Sequence, residues 1–161
     1  MRVANLVAAI VLLASDCMIF SGRCLYEIRG IEADGKINQN GVELAAGHLT
    51  LSEQRDLDPN KSLYWLLTGP TLKSHVTSAR LTDAANSSQT LLDLPLADAS
   101  QEKLSEGGAD QRAGADLNAF WDLLSANRVV FELHTDDPAR PTITLPVTVT
   151  GKQDWTRPYC S

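Results

Sequence analysis

The chain has 161 residues, 43% of them apolar, and a formal net charge of −6. That length suits one well-buried core rather than two. The acidic balance, with no basic stripe to neutralise phosphates, argues against a nucleic-acid partner and gives no reason to expect docking on anionic lipid.

The N-terminal stretch "MRVANLVAAIVLLAS" carries one Arg and then an apolar run from Val3 to Ala14, followed by Asp16 and small residues near Ser21 and Gly22. This is the order of regions in a secretory signal peptide. The apolar run is shorter than the ~20 residues that cross a bilayer, and Asp16 interrupts its extension. The expected organisation is a signal peptide over 1–22 and a single domain over 23–161, exported to a secreted or periplasmic location with no stable membrane span after cleavage. Cys17 leaves with the signal, so Cys24 and Cys160 remain, one near each end. An even pair in an exported chain reads as a disulfide, which requires the first and last strands to be neighbours.

Beyond the signal, the apolar pattern is mostly of period two. "LYEIRG" is a first strand candidate, and "ADGK" and "NQNG" supply turn chemistry. "HLTLSE" alternates through Leu49 and Leu51. "DLDPN" reads as an acidic turn: Asp56, Asp58 and Asn60 have the spacing that opens a calcium loop, but Lys61 and Leu67 stand where its Gly and Glu belong. "SLYWLLTG" is apolar on both faces and suits a central strand. "HVTSARLT" and "TLLDLPL" follow. The polar, Gly-rich segment Asp98 to Gly114 has no apolar period and reads as a long mobile loop. "ADLNAFWDLLSAN" places Leu117, Phe120, Trp121 and Leu124 at helical spacing after an Asp116 N-cap, predicting one short helix over a sheet end.

"VVFELHT" puts Val129, Phe131 and Leu133 on one face and Val130, Glu132 and His134 on the other. Glu132 beside His134 could orient an imidazole for base or metal chemistry. A zinc site wants three or four ligands, and only His48 and His75 remain as companions on other strands. No H-E-x-x-H, G-x-S-x-G or phosphate loop is present, so His134 is expected to serve structure, with no metal and no cofactor. "TITLPVTVTG" is the cleanest alternation, with Ile143, Leu145, Val147 and Val149 on one face. Pro146 on the polar face signals an edge or bulge. The final "DWTRPYC" groups Trp155, Arg157 and Tyr159 on one strand face, either as an aromatic binding patch with a cation–π element or as a tail pinned at Cys160. "NKS" at Asn60 and "NSS" at Asn86 match the glycosylation sequon, which has meaning only in a eukaryotic secretory pathway. Short strands with Gly, Asn and Pro punctuation predict an all-β, antiparallel, Greek-key-like sandwich with one short helix.

The residues also resemble the CHRD domain, named from chordin and present in exported microbial proteins. "AAGHLTLSE", "LYWLLTG", "VTSARLT", "LNAFWDLLSAN" and "VFELHT" follow that family's order over about Gly41 to Val149. Arg80, Leu81 and Thr82 stand where the family has H-I-H, while His134 matches its V-H-T element. Pro141, Thr144 and Leu145 fall where the family has its G-E-I-R-G-Q-L segment. The resemblance implies a β-rich extracytoplasmic module and imports no reaction. Three readings follow: a non-catalytic module binding an extracellular protein or surface polymer, a structural envelope or matrix domain, and a small metal-dependent enzyme using His134. The first is the leading one.

Overall fold

The computed structural model describes residues 26–56, 59–98 and 102–157. The expected signal segment, Cys24, Cys160 and Tyr159 lie outside them, so the expected disulfide and the Tyr159 part of the C-terminal patch do too. Strands β1 (Tyr26–Gln39), β2 (Val42–Asp56), β3 (Asn60–Thr68), β6 (Lys103–Asp110) and β9 (Thr148–Thr156) form a five-stranded sheet in the order β6-β3-β2-β1-β9. Strands β4 (Val76–Asp83), β5 (Asn86–Leu94), β7 (Val129–Thr135) and β8 (Thr142–Pro146) form a four-stranded sheet in the order β5-β4-β7-β8. All pairings are antiparallel. β9 returns beside the β1–β2–β3 meander, the spatial order of a Greek key. Among the described residues no helix is long and apolar enough to cross a membrane.

Alternation decides the layers. Ile31, Ala33, Leu49, Leu51, Leu63, Trp65 and Leu67 bury themselves from the five-stranded sheet, and Leu81, Phe131, Leu133, Ile143 and Leu145 meet them from the other. This double-sheet core is what a period of two produces when each sheet keeps one face dry. The first and last described strands are neighbours, with Ile28 opposite Thr156.

Several expectations change on contact with the fold. "ADGK" is no turn but the middle of β1. A Cβ at Gly35 would lie 2.1 Å from the Pro146 carbonyl oxygen, so the glycine serves close approach of the two sheets. "NQNG" is the β1–β2 turn, with Asn40 and Gly41 at φ 52° and 79°, the geometry favoured in two-residue hairpins. "TITLPVTVTG" is two strands in different sheets: Pro146 ends β8 at an edge and the chain crosses over at Val147.

The expected loop 98–114 contains β6 and a 3-10 turn at Gln111–Ala113. A Cβ on Gly107 would meet the Trp65 ring at 2.5 Å, and Trp65 Nε1 donates to Ser105 Oγ at 2.9 Å. The glycine that made the segment look unstructured is the space the indole fills.

The helix α1 is shorter than its pattern, Phe120–Ser125, and Asp116 is not its N-cap. The Asp116 carboxylate instead accepts from the Asn118 backbone in the turn before. Leu117, Phe120, Trp121 and Leu124 are buried as their spacing predicts.

Candidate functional site

The outer face of the five-stranded sheet is built from the residues that alternate with its core. Three rows cross it. One runs Asp110, Ser62, Ser52, Gly30, Gln153; the next Gly108, Tyr64, Thr50, Glu32, Gly151; the third Glu106, Leu66, His48, Asp34, Thr148. Small side chains down the first row, flanked by the taller Ile28, Gln54 and Glu32, leave a cleft of about 530 Å³. A second cleft of about 620 Å³ adjoins it, lined by Asp34, Lys36, His48, Leu66, Thr68 and Thr148. No side chain of these rows is fully buried, and Tyr64 is 40% exposed. The second apolar face of "SLYWLLTG" therefore looks outward, through Tyr64 and Leu66, and nothing among the described residues covers it.

Polar contacts hold this face in shape. Tyr64 Oη donates to Glu106 Oε1 at 2.6 Å. Asp110 accepts from Asn60 Nδ2 at 2.8 Å and Ser62 Oγ at 2.9 Å, and these bonds hold its carboxyl below the usual range. Asn60, one of the two sequon residues, is thus engaged by its own amide. Asn86, the other, is exposed at the β4–β5 turn.

Asp34 and His48 line the second cleft and Thr50 the first; His48 Nδ1 lies 2.6 Å from Asp34 Oδ1 and His48 Nε2 lies 3.0 Å from Thr50 Oγ1. Thr150 Oγ1 donates to the other Asp34 oxygen at 2.7 Å. The His48 and Thr150 bonds depress the Asp34 pKa. A bulge creates this arrangement. The hairpin pairs Gln39 with Val42 and Asn38 with Glu43, then slips to Ile37 with Ala45, leaving Leu44 as the extra residue. Without that slip Asp34 would stand opposite Gly47, and the two strands would present opposite faces. Sequence reading passed over this site, although H-x-T on an alternating strand already puts His48 and Thr50 on one face.

The residues singled out from sequence lie elsewhere. On the outer face of the four-stranded sheet, Glu132 is 5% exposed, and its Oε1 accepts from Arg80 Nε at 3.0 Å and lies 2.9 Å from His134 Nε2. Arg80 Nη1 also donates to Thr90 Oγ1 at 3.2 Å. His134 is the penultimate residue of the interior strand β7, its ring beside the Arg80–Glu132 ion pair. His75 sits apart, 2.9 Å from Asp136. Each histidine keeps its own carboxylate, and among the described residues no group of three metal-ligating side chains converges.

Trp155 and Arg157 join a third cluster where sheet and helix meet. Arg29 lies 3.5 Å from the Trp121 ring and 4.8 Å from that of Trp155, with Arg55 4.3 Å from Trp155. Arg29 Nε donates to the buried Glu53 at 2.5 Å, while Glu27 accepts from Arg55 Nε at 2.5 Å and Arg157 Nε at 3.1 Å. Those two salt bridges lower the Glu27 pKa, the Arg55 bond being the larger cause. The stack pins α1 to β1 and β9, so Trp155 spends its face on Arg29 and Arg55. Its guanidiniums are already paired with carboxylates.

No family model, curated protein or solved structure matches this chain.

Proposed function

We propose that the chain is an exported, CHRD-like binding module whose five-stranded sheet grips an extended, hydroxyl-rich polymer along its outer face. The observation that carries this reading is the pair of adjoining clefts, about 530 and 620 Å³, on one uncovered sheet face. From Ile28 to Lys36 that face runs roughly 26 Å along β1 at about 3.3 Å per residue, the reach of a linear chain rather than a small molecule. Its chemistry fits sugar-like hydroxyls. Ser52, Ser62, Thr50 and Thr148 offer both donors and acceptors, and Gln54 and Gln153 present planar amides. Tyr64 supplies an amphipathic ring. Glu32, Asp34, Glu106 and Asp110 outnumber Lys36 and Lys103 on the face, which favours a neutral polymer over an acidic one.

The CHRD resemblance adds a second support. Arg80, where that family has its first histidine, stands opposite Glu132 in register and shares its carboxylate with His134. A guanidinium is permanently charged and is no metal ligand. The four-stranded face thus reads as a closed ion pair, and the binding role falls to the other sheet.

Affinity electrophoresis of the mature domain through gels containing a soluble neutral glucan, an acidic polysaccharide, or none tests the proposal. The expected result is retardation in the neutral-glucan gel, lost with Tyr64→Ala and retained with His134→Asn. Equal mobility in all gels, or retardation abolished by His134→Asn in a folded protein, contradicts it.

A further inference from the structure

The geometry points to Thr50 as a nucleophilic hydroxyl that accepts an acyl group from an activated ester held where the two clefts adjoin, with His48 as its general base and Asp34 as the positioning residue. This goes beyond the binding proposal and does not depend on it. The signature of an activated nucleophile is a hydroxyl within about 2.6–3.2 Å of a base that a third group orients. Here Thr50 Oγ1 lies 3.0 Å from His48 Nε2, and His48 Nδ1 lies 2.6 Å from Asp34 Oδ1.

The arrangement is directional. A carboxylate accepts only, so it calls for a proton on His48 Nδ1, which leaves Nε2 as the lone-pair nitrogen facing the Thr50 hydroxyl. Thr150 Oγ1 binds the second Asp34 oxygen at 2.7 Å and fixes the carboxylate's rotation. The register slip at Leu44 puts Asp34 opposite His48, and the alternation of β2 puts Thr50 two residues on, along the same face. Thr50 lines the cleft of about 530 Å³, while Asp34 and His48 line the adjoining one of about 620 Å³ with Leu66 as an apolar wall, and the side chain of His48 is 36% exposed. Unlike the Arg80–Glu132–His134 cluster, this one contains a hydroxyl at the free nitrogen and no arginine closing the carboxylate.

The step balances. Thr50 Oγ1 attacks the ester carbonyl carbon, His48 Nε2 takes the hydroxyl proton, and the bond from carbon to the leaving oxygen breaks with its electron pair. His48 then returns the proton to that oxygen. A threonyl ester and a free alcohol result, with no change of oxidation state. β2 is an interior strand whose backbone N–H groups are engaged in the ladders to β1 and β3, so they supply no oxyanion hole. The ester should accumulate in a single turnover rather than be released.

An alkyl fluorophosphonate tests the hydroxyl directly, because Thr50 attack at phosphorus expels fluoride and leaves a stable adduct. Intact mass and peptide mapping of the full chain should find one adduct, on Thr50. It should be lost in Thr50→Val and kept in Thr50→Ser. In His48→Gln, labelling should slow on the order of 100-fold, the usual contribution of a general base. Asp34→Asn should slow it while Asp34→Glu partly restores it, a rescue that loss of stability alone would not give. No adduct on wild-type Thr50, or labelling at the same rate without His48, overturns the inference. If His48→Gln fails to fold, the wild-type adduct position and the Val and Ser variants at Thr50 decide it.

Discussion

The two outer faces of the sandwich start from the same alternation and end differently. On the four-stranded sheet, Thr82, Val130 and Glu132 are 0%, 4% and 5% exposed although they point away from the core. Arg80 reaches Glu132 on β7 and Thr90 on β5, so side chains of this face are tied to one another across three strands. On the five-stranded sheet, Gly30, Ser52, Ser62 and Gly108 are too short to cover their neighbours, and two clefts stay open. Charge pairing across strands fills a face, and small residues in one row empty it. What distinguishes the sheets is side-chain reach, not hydropathy.

Closure of the whole sandwich comes first in size. A Cys24–Cys160 bridge would tie the chain before β1 to the chain after its neighbour β9, and reducing it removes up to about 5 kcal/mol in the chain-entropy view. Non-reducing peptide mapping of exported material should recover the linked pair. Free thiols at both positions would exclude the staple.

Adjacent residues of β3 give the sharpest contrast between buried and open surface. Trp65→Ala should cost about 3–5 kcal/mol, because the indole fills the space over Gly107 and donates to Ser105. Tyr64→Ala, on the open face, should cost no more than about 0.5–1 kcal/mol. Urea denaturation of the two variants checks this, and similar losses would mean that the outer face is packed after all.

A pair of glutamates compares the faces at smaller scale. Glu132→Ala leaves Arg80 without its carboxylate in a half-buried setting and should cost about 2 kcal/mol, below the range for fully buried pairs because Arg80 reaches solvent. Glu32→Ala on the open face should stay within about 0.5 kcal/mol. Reversal of that order in thermal melts would refute the distinction.

Acid should affect both faces late. Asp34 is depressed by His48 and Thr150, Asp83 by Arg128 and the Ala85 N–H, and Asp110 by Asn60 and Ser62. A depressed folded pKa favours the charged form on folding. The stabilisation is therefore complete above the unfolded value and is lost as pH falls through the lower folded ones. Denaturation midpoints should hold from neutrality to about pH 4 and drop below it. A fall already under way between about pH 7 and 5 would show that other groups dominate.

The sequence made the layers legible because alternation reports burial directly: Leu49, Leu51, Phe131 and Leu145 are all where period two puts them. It hid what depends on register. Asp34 meets His48 only through the extra residue at Leu44, and a bulge leaves no compositional mark. β6 was hidden too, since Gly107 and Gly108 weaken every propensity signal while serving Trp65 on one side and the open face on the other. His134 drew attention as one of three histidines, on the same strand face as Glu132. Its surroundings follow from Arg80, which the β4–β7 pairing sets opposite Glu132.

Binding to the five-stranded face is tested most directly by a chemical-shift map of the isotope-labelled protein titrated with a soluble neutral glucan oligomer. Perturbed amides should cluster at Gly30, Ser52, Ser62, Tyr64, Gly108 and Gln153, while Arg80, Glu132, His134 and Thr144 stay still. Perturbations centred on the four-stranded face, or none at saturating oligomer, would contradict it.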